Sequence, residues 1–173
     1  MTAAWDGKFP ELGDPRTLQQ PSQFLQQARS GLKTFWGYEQ FRPMQGEIVT
    51  ALLERQDALV MLPTGAGKSL CFQLPALMQD GLSVVVSPLV ALMENQVQSL
   101  QSRQAPAALL HSEQSREQRQ QTLRKLEQGQ LKLLYLSPES LLSPTVWQQL
   151  LGVSSRLRSL IIDEAHCITQ WGS

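Results

Sequence analysis

Residues 58–70 read ALVMLPTGAGKSL, and this stretch decides the fold that we expect. Its apolar first half, residues 58–62, predicts a buried strand that stops at Pro63. A loop with Gly65 and Gly67 follows, and the sequence KSLCFQL after it is compatible with a helix. This order of strand, glycine-rich loop and helix is the setting in which backbone N–H groups and a helix dipole bind phosphate groups.

The loop and the helical turn after it predict a site for a nucleoside triphosphate. The loop residues expected to surround the phosphates are Thr64, Gly65, Ala66 and Gly67. Lys68 can reach the β- and γ-phosphates, and the hydroxyl group of Ser69 can bind Mg²⁺. The strict pattern G-x-x-x-x-G-K-[ST] has a glycine where this chain has Leu62. A glycine turn beside an ordinary surface lysine therefore stays open as the alternative.

Length and composition predict a globular protein with one main domain. The chain has 173 residues, of which 42% are hydrophobic. Residues 1–20 contain prolines and glycines without periodicity, so we expect a loosely ordered leader there and the domain at 21–173. The 15 basic residues equal the 15 acidic residues in number, so composition gives no support for nucleic-acid binding.

The sequence also predicts a cytoplasmic protein without a membrane anchor. No apolar run approaches the roughly 18 residues that a membrane span needs. The N-terminus has no cationic start followed by an apolar segment, so we expect no secretory signal. Cys71 and Cys167 lie in apolar contexts, which favours reduced core residues over a disulfide.

Predicted strands and helices alternate along the chain. Besides residues 58–62, strands are expected at residues 83–86, 107–110, 131–136 and 159–162. Helices are expected at 21–36, from residue 43, at 68–80, from residue 88, at 115–128 and at 146–151. Gly37 and Gly129 are expected to end the helices before them, and Ser115 with Gln118 resembles a capping box. The alternation predicts an α/β fold with a doubly wound, mainly parallel sheet and helices on both faces.

The polar motifs follow the predicted strands, at the point where each strand ends. They are Thr64 to Ser69, Ser87-Pro88-Leu89, Ser137-Pro138-Glu139 and Asp163 to His166. Because ligands of such sheets bind beyond the carboxyl ends of the strands, we expect these motifs to form one active site. Asp163 would bind Mg²⁺, and Glu164 would orient and deprotonate the attacking water. An Asp-Glu pair at a strand end is also a common solvated turn.

Five blocks of sequence resemble the RecQ family of superfamily-2 DNA helicases. The blocks are LKTFWGYEQFRPMQ, LPTGAGKSLCFQLPAL, VVVSPLVALMENQV, LLYLSPESL and DEAHCITQWG, in the order and spacing of that family. The resemblance runs from about Gly31 to the last residue. It implies a RecA-like lobe that uses ATP and Mg²⁺ to move along single-stranded or partly duplex DNA.

The resemblance implies an adenine site in the first block. Tyr38 would stack on the base, Gln45 would pair with its polar edge, and Arg42 would help to fix it. The alternative is that Tyr38, Phe41 and Trp36 only join two helices.

The resemblance also implies a path for DNA. Ser87-Pro88-Leu89 and Ser137-Pro138-Glu139 would contact the DNA backbone, although both segments could simply cap helices. His166 would connect the nucleotide site with the DNA, unless it is a buried structural histidine. Trp171 would begin a DNA-sensing loop. Ser140 departs from the family, which usually has arginine there.

The five blocks belong to the first of two RecA-like lobes in that family. The second lobe of the parent chain would carry an arginine finger, so we expect this chain alone to bind ATP weakly and hydrolyse it poorly. The parent would be a 3′–5′ DNA helicase of repair or recombination, associated with the nucleoid if bacterial. An RNA helicase lobe of the DEAD-box kind and a non-catalytic nucleotide-binding adaptor remain the alternatives.

Overall fold

A computed structural model describes residues 23–63 and 65–166, which form a four-stranded sheet surrounded by helices. The strands are β1 (Leu82–Val86), β2 (Ala107–Leu110), β3 (Leu133–Leu136) and β4 (Leu157–Ile162). The helices are α1 (Gln23–Trp36), α2 (Gln45–Leu53), α3 (Lys68–Met78), α4 (Val90–Ser102), α5 (Arg116–Glu127), α6 (Pro138–Leu141) and α7 (Pro144–Gly152). The strand order is β2-β3-β1-β4, and every pair is parallel.

The two central strands are fully buried, which explains their continuous apolar sequences. Every residue of β1 and of β3 is buried. A strand that is covered on both faces has no solvent side on which polar residues would be favoured. One rung of the sheet joins Ala108, Leu134, Val84 and Leu160, and the register of the β1–β4 pair shifts by one residue before it, between Leu82 and Ser83.

Alternate side chains of the sheet enter two separate hydrophobic cores. Val84 and Leu134 belong to the core that α5 and α7 cover with Leu126 and Val146. The opposite core is built from residues of β1, β2 and β3 together with residues of α3 and α4, namely Val85, Ala107, Leu133, Tyr135, Ala76, Leu77, Met93, Val97 and Leu100. The predicted doubly wound sheet with helices on both faces is therefore confirmed.

Helices α1 and α2 form a further layer on α3. Their contact is a third hydrophobic cluster made of Ala28, Leu32, Val49, Leu53, Leu70 and Leu74. This packing brings the start of α2 next to the loop that precedes α3. In the described part of the chain, no helix has both the length and the apolar character that crossing a bilayer requires.

The ends of several helices follow the predicted turn chemistry. The capping box of α5 is confirmed: the Ser115 hydroxyl accepts a hydrogen bond from the Gln118 N–H at 3.2 Å, and the Gln118 side chain accepts one from the Ser115 N–H at 3.0 Å. Gly37 and Gly129 end α1 and α5 with positive φ angles of 73° and 69°. Helix α4 begins at Val90 rather than at the predicted Pro88, and the short helix α6 was not predicted.

The prediction of a buried strand at residues 58–62 is wrong. These residues form no strand, and the side chains of Leu59 and Met61 are 79% and 85% exposed. A strand needs a neighbouring strand to bind its N–H and C=O groups. Both edges of β1 and β3 are already paired, and no described strand pairs with the outer edge of β4. The apolar run therefore has no partner in the described part of the chain.

Leu134→Ala should strongly destabilise the fold, because Leu134 is fully buried in the centre of the sheet. We expect the free energy of unfolding, measured by urea titration, to fall by about 2–5 kcal/mol. Leu160→Ala is the matched control, since Leu160 lies on the same rung but is 59% exposed. This control should change stability by no more than about 0.5 kcal/mol. Equal losses for the two variants would contradict the observed strand order.

Candidate functional site

The backbone before α3 has the form of an anion-binding loop. Gly65 and Gly67 have φ angles of 82° and 80°, a left-handed conformation that favours glycine. The Ala66 N–H donates to the Pro63 carbonyl at 3.1 Å, which closes the turn. Within the described residues, no side chain caps the start of α3 at Gly67. The first N–H groups of α3 therefore remain available to an anion. Thr64 lies outside the described residues.

Gln45 and Arg42 hold this loop in place. The buried amide of Gln45 donates from Nε2 to the carbonyls of Ala66 at 3.0 Å and Gly67 at 3.2 Å. Its Oε1 accepts from the Arg42 N–H at 3.0 Å, while the Arg42 guanidinium donates to the Gly65 carbonyl at 2.8 Å. The start of α2 is thereby fastened to the loop, a role of these two side chains that the sequence did not reveal.

The aromatic residues near this loop are of two kinds. Trp36 meets Phe35 edge to face, with ring centroids 6.1 Å apart, and packs against the hydrophobic clusters, as Phe41 does. These contacts fit the structural alternative for Trp36 and Phe41. Tyr38 is 55% exposed, so its ring is accessible for stacking. An open cavity of about 480 Å³ lies beside Arg42 and is lined also by Arg29, Glu39 and Phe41.

The acidic turn after β4 lies opposite the start of α3. The Asp163 N–H donates to the Val86 carbonyl at 2.9 Å, which continues the pairing of β4 with β1. The Asp163 carboxylate accepts from the Glu164 N–H at 3.1 Å, and Glu164 has a positive φ of 52°. The Lys68 Nζ lies 4.0 Å from the Glu164 Oε1, and its charge also acts on Asp163. Residues that are distant in sequence therefore form one charged cluster.

His166 contacts the other side of Glu164. Its Nδ1 lies 3.3 Å from the Glu164 Oε2, and its side chain is 75% exposed. The alternative of a buried structural histidine therefore does not hold. Glu164 is placed between the ammonium group of Lys68 and the imidazole of His166.

Burial raises the pKa of the Asp163 carboxyl group above its ordinary value of 3.8. The Glu164 N–H opposes this shift, the negative charge of Glu164 adds to it, and Lys68 and Gln96 lower the pKa. A half-buried carboxylate and a serine hydroxyl both supply oxygen ligands of the kind that suits Mg²⁺, a hard cation that also keeps waters and phosphate oxygens as ligands. Asp163 and Ser69 therefore fit the predicted metal. The described residues contain no group of three or more His, Cys, Asp or Glu side chains that would form a closed metal cage.

The carboxyl ends of the strands meet at one edge of the sheet. The Ser87 N–H donates to the Leu136 carbonyl at 3.1 Å, and the Ser137 N–H donates to the Leu110 carbonyl at 3.2 Å. Together with the Asp163 bond to Val86, these contacts place three of the predicted motifs along that edge.

The two serines at this edge differ in their contacts. The Ser137 hydroxyl accepts from the Ser140 N–H at 3.3 Å and lies 3.1 Å from the Ser140 hydroxyl, so Ser137 caps α6. The Ser87 hydroxyl is buried and has no hydrogen-bond partner among the described residues. The capping alternative thus describes Ser137 and not Ser87.

In the segments at residues 87–89 and 137–139, the proline is at least partly covered and the residue after it is open to solvent. Pro88 is half-buried and Pro138 is buried, while Leu89 and Glu139 are exposed. Trp171 lies outside the described residues.

Gln96 is a site residue that the sequence analysis missed. It lies on α4, is half-buried, and its side chain lowers the pKa of the Asp163 carboxyl group. Its spacing from Met93 and Leu100 places this polar side chain on the buried side of an amphipathic helix. A polar residue in that register was the available signal.

The comparisons of this chain with known proteins agree on one family. Residues 42–173 match the family model described as DEAD/DEAH box helicase. The chain is 58% identical over 147 residues to an ATP-dependent DNA helicase RecQ of Synechocystis, and 51% identical over 145 residues to one of Haemophilus influenzae. These matches cover 85% and 84% of this chain but 31% and 23% of the relatives. The resemblance to RecQ helicases is confirmed, and the chain spans less than a third of these relatives.

A more distant relative and a solved structure agree with this result. The ATP-dependent DNA helicase Q5 of the mouse is 40% identical over 163 residues, which are 91% of this chain and 17% of the relative. The crystal structure of a hypothetical ATP-dependent RNA helicase from Sulfolobus tokodaii matches with a TM-score of 0.65. That match covers 88% of this chain and 44% of the other, at 20% identity, so it shows the shared fold alone.

Gly67→Ala should cost more stability than Gly65→Ala, although both glycines have left-handed backbones. A Cβ atom at Gly65 meets no atom within 4 Å, so only the backbone cost of about 1–2 kcal/mol applies. A Cβ atom at Gly67 would lie 2.5 Å from the Gln45 Nε2 and would displace that amide from the loop. We expect urea titration to show an additional loss of about 1 kcal/mol or more. Equal losses would mean that Gln45 does not hold the loop.

Asp163→Asn should raise the melting temperature at pH 7. The folded-state pKa of Asp163 is raised, so its ionised form disfavours the folded state once the pH exceeds the ordinary value of 3.8. The amide removes that charge, and the gain should shrink as the pH falls towards and below 3.8, because the wild-type carboxyl then becomes protonated in both states. Asp57→Asn, at an exposed position, is the control and should bring no comparable gain. Thermal unfolding between pH 4 and pH 7 tests this, and a lower melting temperature of Asp163→Asn at pH 7 would contradict it.

Proposed function

The chain belongs to the DEAD/DEAH box helicase family, and on that basis we propose that it forms the ATP-binding lobe of a RecQ-type DNA helicase. The observation that carries the proposal is the approach of the Lys68 ammonium group to Glu164, at 4.0 Å, beside a helix start that no described side chain caps. We assign residues 21–173 to a first RecA-like domain.

Each group of the charged cluster has a role in ATP hydrolysis under this proposal. The N–H groups of the loop and of the first turn of α3 bind the phosphates, and Lys68 neutralises the β- and γ-phosphates. Ser69 and Asp163 would hold Mg²⁺, which when bound would supply positive charge against the phosphates. Glu164 orients a water and takes its proton, and its contact with His166 fixes the carboxylate from the other side.

The adenine base is proposed to bind near the start of α2. Tyr38 stacks on its face, while Arg42 and Gln45 approach its edge. Both hydrogens of the Gln45 amide and the guanidinium of Arg42 already engage loop carbonyls. Pairing of adenine with these side chains therefore exchanges contacts within the protein for contacts with the base, which links base recognition to the conformation of the phosphate loop.

Single-stranded or partly duplex DNA is the proposed substrate of the whole protein. The names of the relatives support DNA over RNA. The segments at residues 87–89 and 137–139 lie at the same sheet edge as the nucleotide site, and their backbone N–H groups can bind phosphate oxygens without an excess of basic residues. Trp171 and His166 are proposed to connect DNA with the nucleotide site.

A second RecA-like lobe of the same parent chain is the proposed partner. The relatives are more than three times as long as their matched segment, which leaves room for such a lobe. An arginine finger from it would supply a rate factor of about 10³–10⁵, so the present chain alone should hydrolyse ATP slowly.

We propose 3′–5′ unwinding in repair or recombination, in the cytoplasm and at the nucleoid in bacteria. The buried, unpaired thiol of Cys71, whose pKa burial raises to about 11, is typical of a reducing compartment.

Lys68→Ala should abolish nucleotide binding by the chain, because it removes the cation that faces the phosphates. The measurement is titration with a fluorescent ATP analogue and Mg²⁺, together with ATPase assays with and without single-stranded DNA or RNA. Lys132→Ala is the matched control. Lys132 lies just before β3, at the end of the sheet opposite to the proposed nucleotide site, and pairs with Asp80. The control should bind like the wild type.

Three results would count against the proposed function. Binding that survives in Lys68→Ala would remove the assigned phosphate site. Rapid DNA-stimulated turnover by this chain alone would contradict the need for a second lobe. Stimulation of the whole protein by RNA but not by DNA would favour the DEAD-box alternative.

A further inference from the structure

The hydroxyl group of Ser87 is buried at the carboxyl edge of the sheet without a partner. Ser87 is 1% exposed, and no described residue forms a hydrogen bond with its Oγ. Buried polar groups are nearly always paired, because each of them loses hydrogen bonds to water when the protein folds. The exception at Ser87 therefore indicates a hydroxyl group whose partner is supplied in another state of the site.

Asp163 is the neighbour of Ser87 on the adjacent strand. The last rung of the β1–β4 pair joins Val86 and Ile162, and the Asp163 N–H donates to the Val86 carbonyl at 2.9 Å. Ser87 and Asp163 thus follow this rung directly, one after each strand. Because residues in matching positions of adjacent strands point to the same face of a sheet, their side chains lie on one face.

The same two strands contain an equivalent pair whose side chains are in contact. Ser83 and Ser159 are paired in register, and the Ser159 hydroxyl donates to the Ser83 hydroxyl at 2.8 Å. Positions four residues apart in a strand share a face, and the register does not shift from this pair to the end of the ladder. A hydrogen bond between the side chains of Ser87 and Asp163 is therefore within reach.

The two groups are chemically complementary. The Asp163 Oδ1 accepts from the Glu164 N–H at 3.1 Å, and a carboxylate can accept further hydrogen bonds on both of its oxygens. The hydroxyl of Ser87 has a proton to donate. Since protein atoms cover this hydroxyl, its partner has to be a neighbouring side chain that turns towards it rather than a group that arrives from solvent.

We propose that Ser87 is a positioning residue, whose hydroxyl donates to the Asp163 carboxylate when this acid binds the Mg²⁺–nucleotide complex. The inference rests on the proposed function for the identity of the ligand. Groups that orient a metal-binding carboxylate commonly change metal affinity by about 10–100-fold when they are removed. The Ser87 N–H already donates to the Leu136 carbonyl, so contact with DNA in this segment falls to the exposed Leu89.

Ser87→Ala tests the proposal with two readouts that should move in different ways. The Mg²⁺ concentration that gives half-maximal binding of a fluorescent ATP analogue should rise about 10-fold. The melting temperature of the ligand-free chain should stay level or rise, because the variant removes a buried polar group that has no partner.

Ser83→Ala is the matched control, since Ser83 lies on the same strand and is also 1% exposed. Its hydroxyl is paired with Ser159 at the other end of the sheet. The control should therefore lower the melting temperature of the ligand-free chain and leave the Mg²⁺ requirement unchanged.

Two results would overturn the proposal. A fall in the melting temperature of Ser87→Ala as large as that of Ser83→Ala would show that the hydroxyl already has a partner in the ligand-free chain. An unchanged Mg²⁺ requirement in a Ser87→Ala variant that binds the analogue would refute the role of Ser87 and leave the proposed function standing. If the wild-type chain binds no analogue even in excess Mg²⁺, the proposed function itself fails, and this inference fails with it.

Discussion

The Lys68 ammonium group facing the acidic turn after β4 is the interaction on which the rest of the site depends. It requires the start of α3 and the end of β4 to lie at the same edge of the sheet. The parallel register provides this, because Asp163 continues the ladder with Val86 and α3 packs on the face of β1 that carries Val85. A register slip of one residue would exchange the two faces of β4 and carry the acids away from the lysine.

The core between α3, α4 and the sheet combines apolar packing with a few satisfied polar groups. A buried amide or phenol needs hydrogen bonds within the protein to replace those that it loses to water. Each group left without a partner costs about 1–3 kcal/mol of stability. Gln73, Gln96 and Tyr135 meet this condition by bonding one another. Because hydrogen bonds are directional, this row fixes α4 relative to α3 and β3 more strictly than apolar contacts alone would.

Much of this arrangement could be predicted from sequence, because it depends on local chemistry. Strand β2 has the predicted bounds, the Ser115–Gln118 capping box forms as expected, and the polar motifs meet at the carboxyl ends of the strands. The failures concern non-local partners. The apolar run at 58–62 indicates burial but not which strand would pair with it, and the pattern around Gln45 and Gln96 does not reveal which groups their amides contact.

The outer edge of β4 has a consequence for the behaviour of the chain in solution. Leu157 and Leu160 on this strand are 47% and 59% exposed, and Leu59 and Met61 add further uncovered apolar surface. An unpaired row of backbone donors and acceptors flanked by leucines is a template onto which another extended chain can add. The register irregularity at Arg158, which is the extra residue opposite Leu82 and Ser83, interrupts this template only at the start of β4, ahead of Leu160. At high concentration this edge therefore favours self-association and precipitation, and covering it is a requirement for keeping the lobe monomeric.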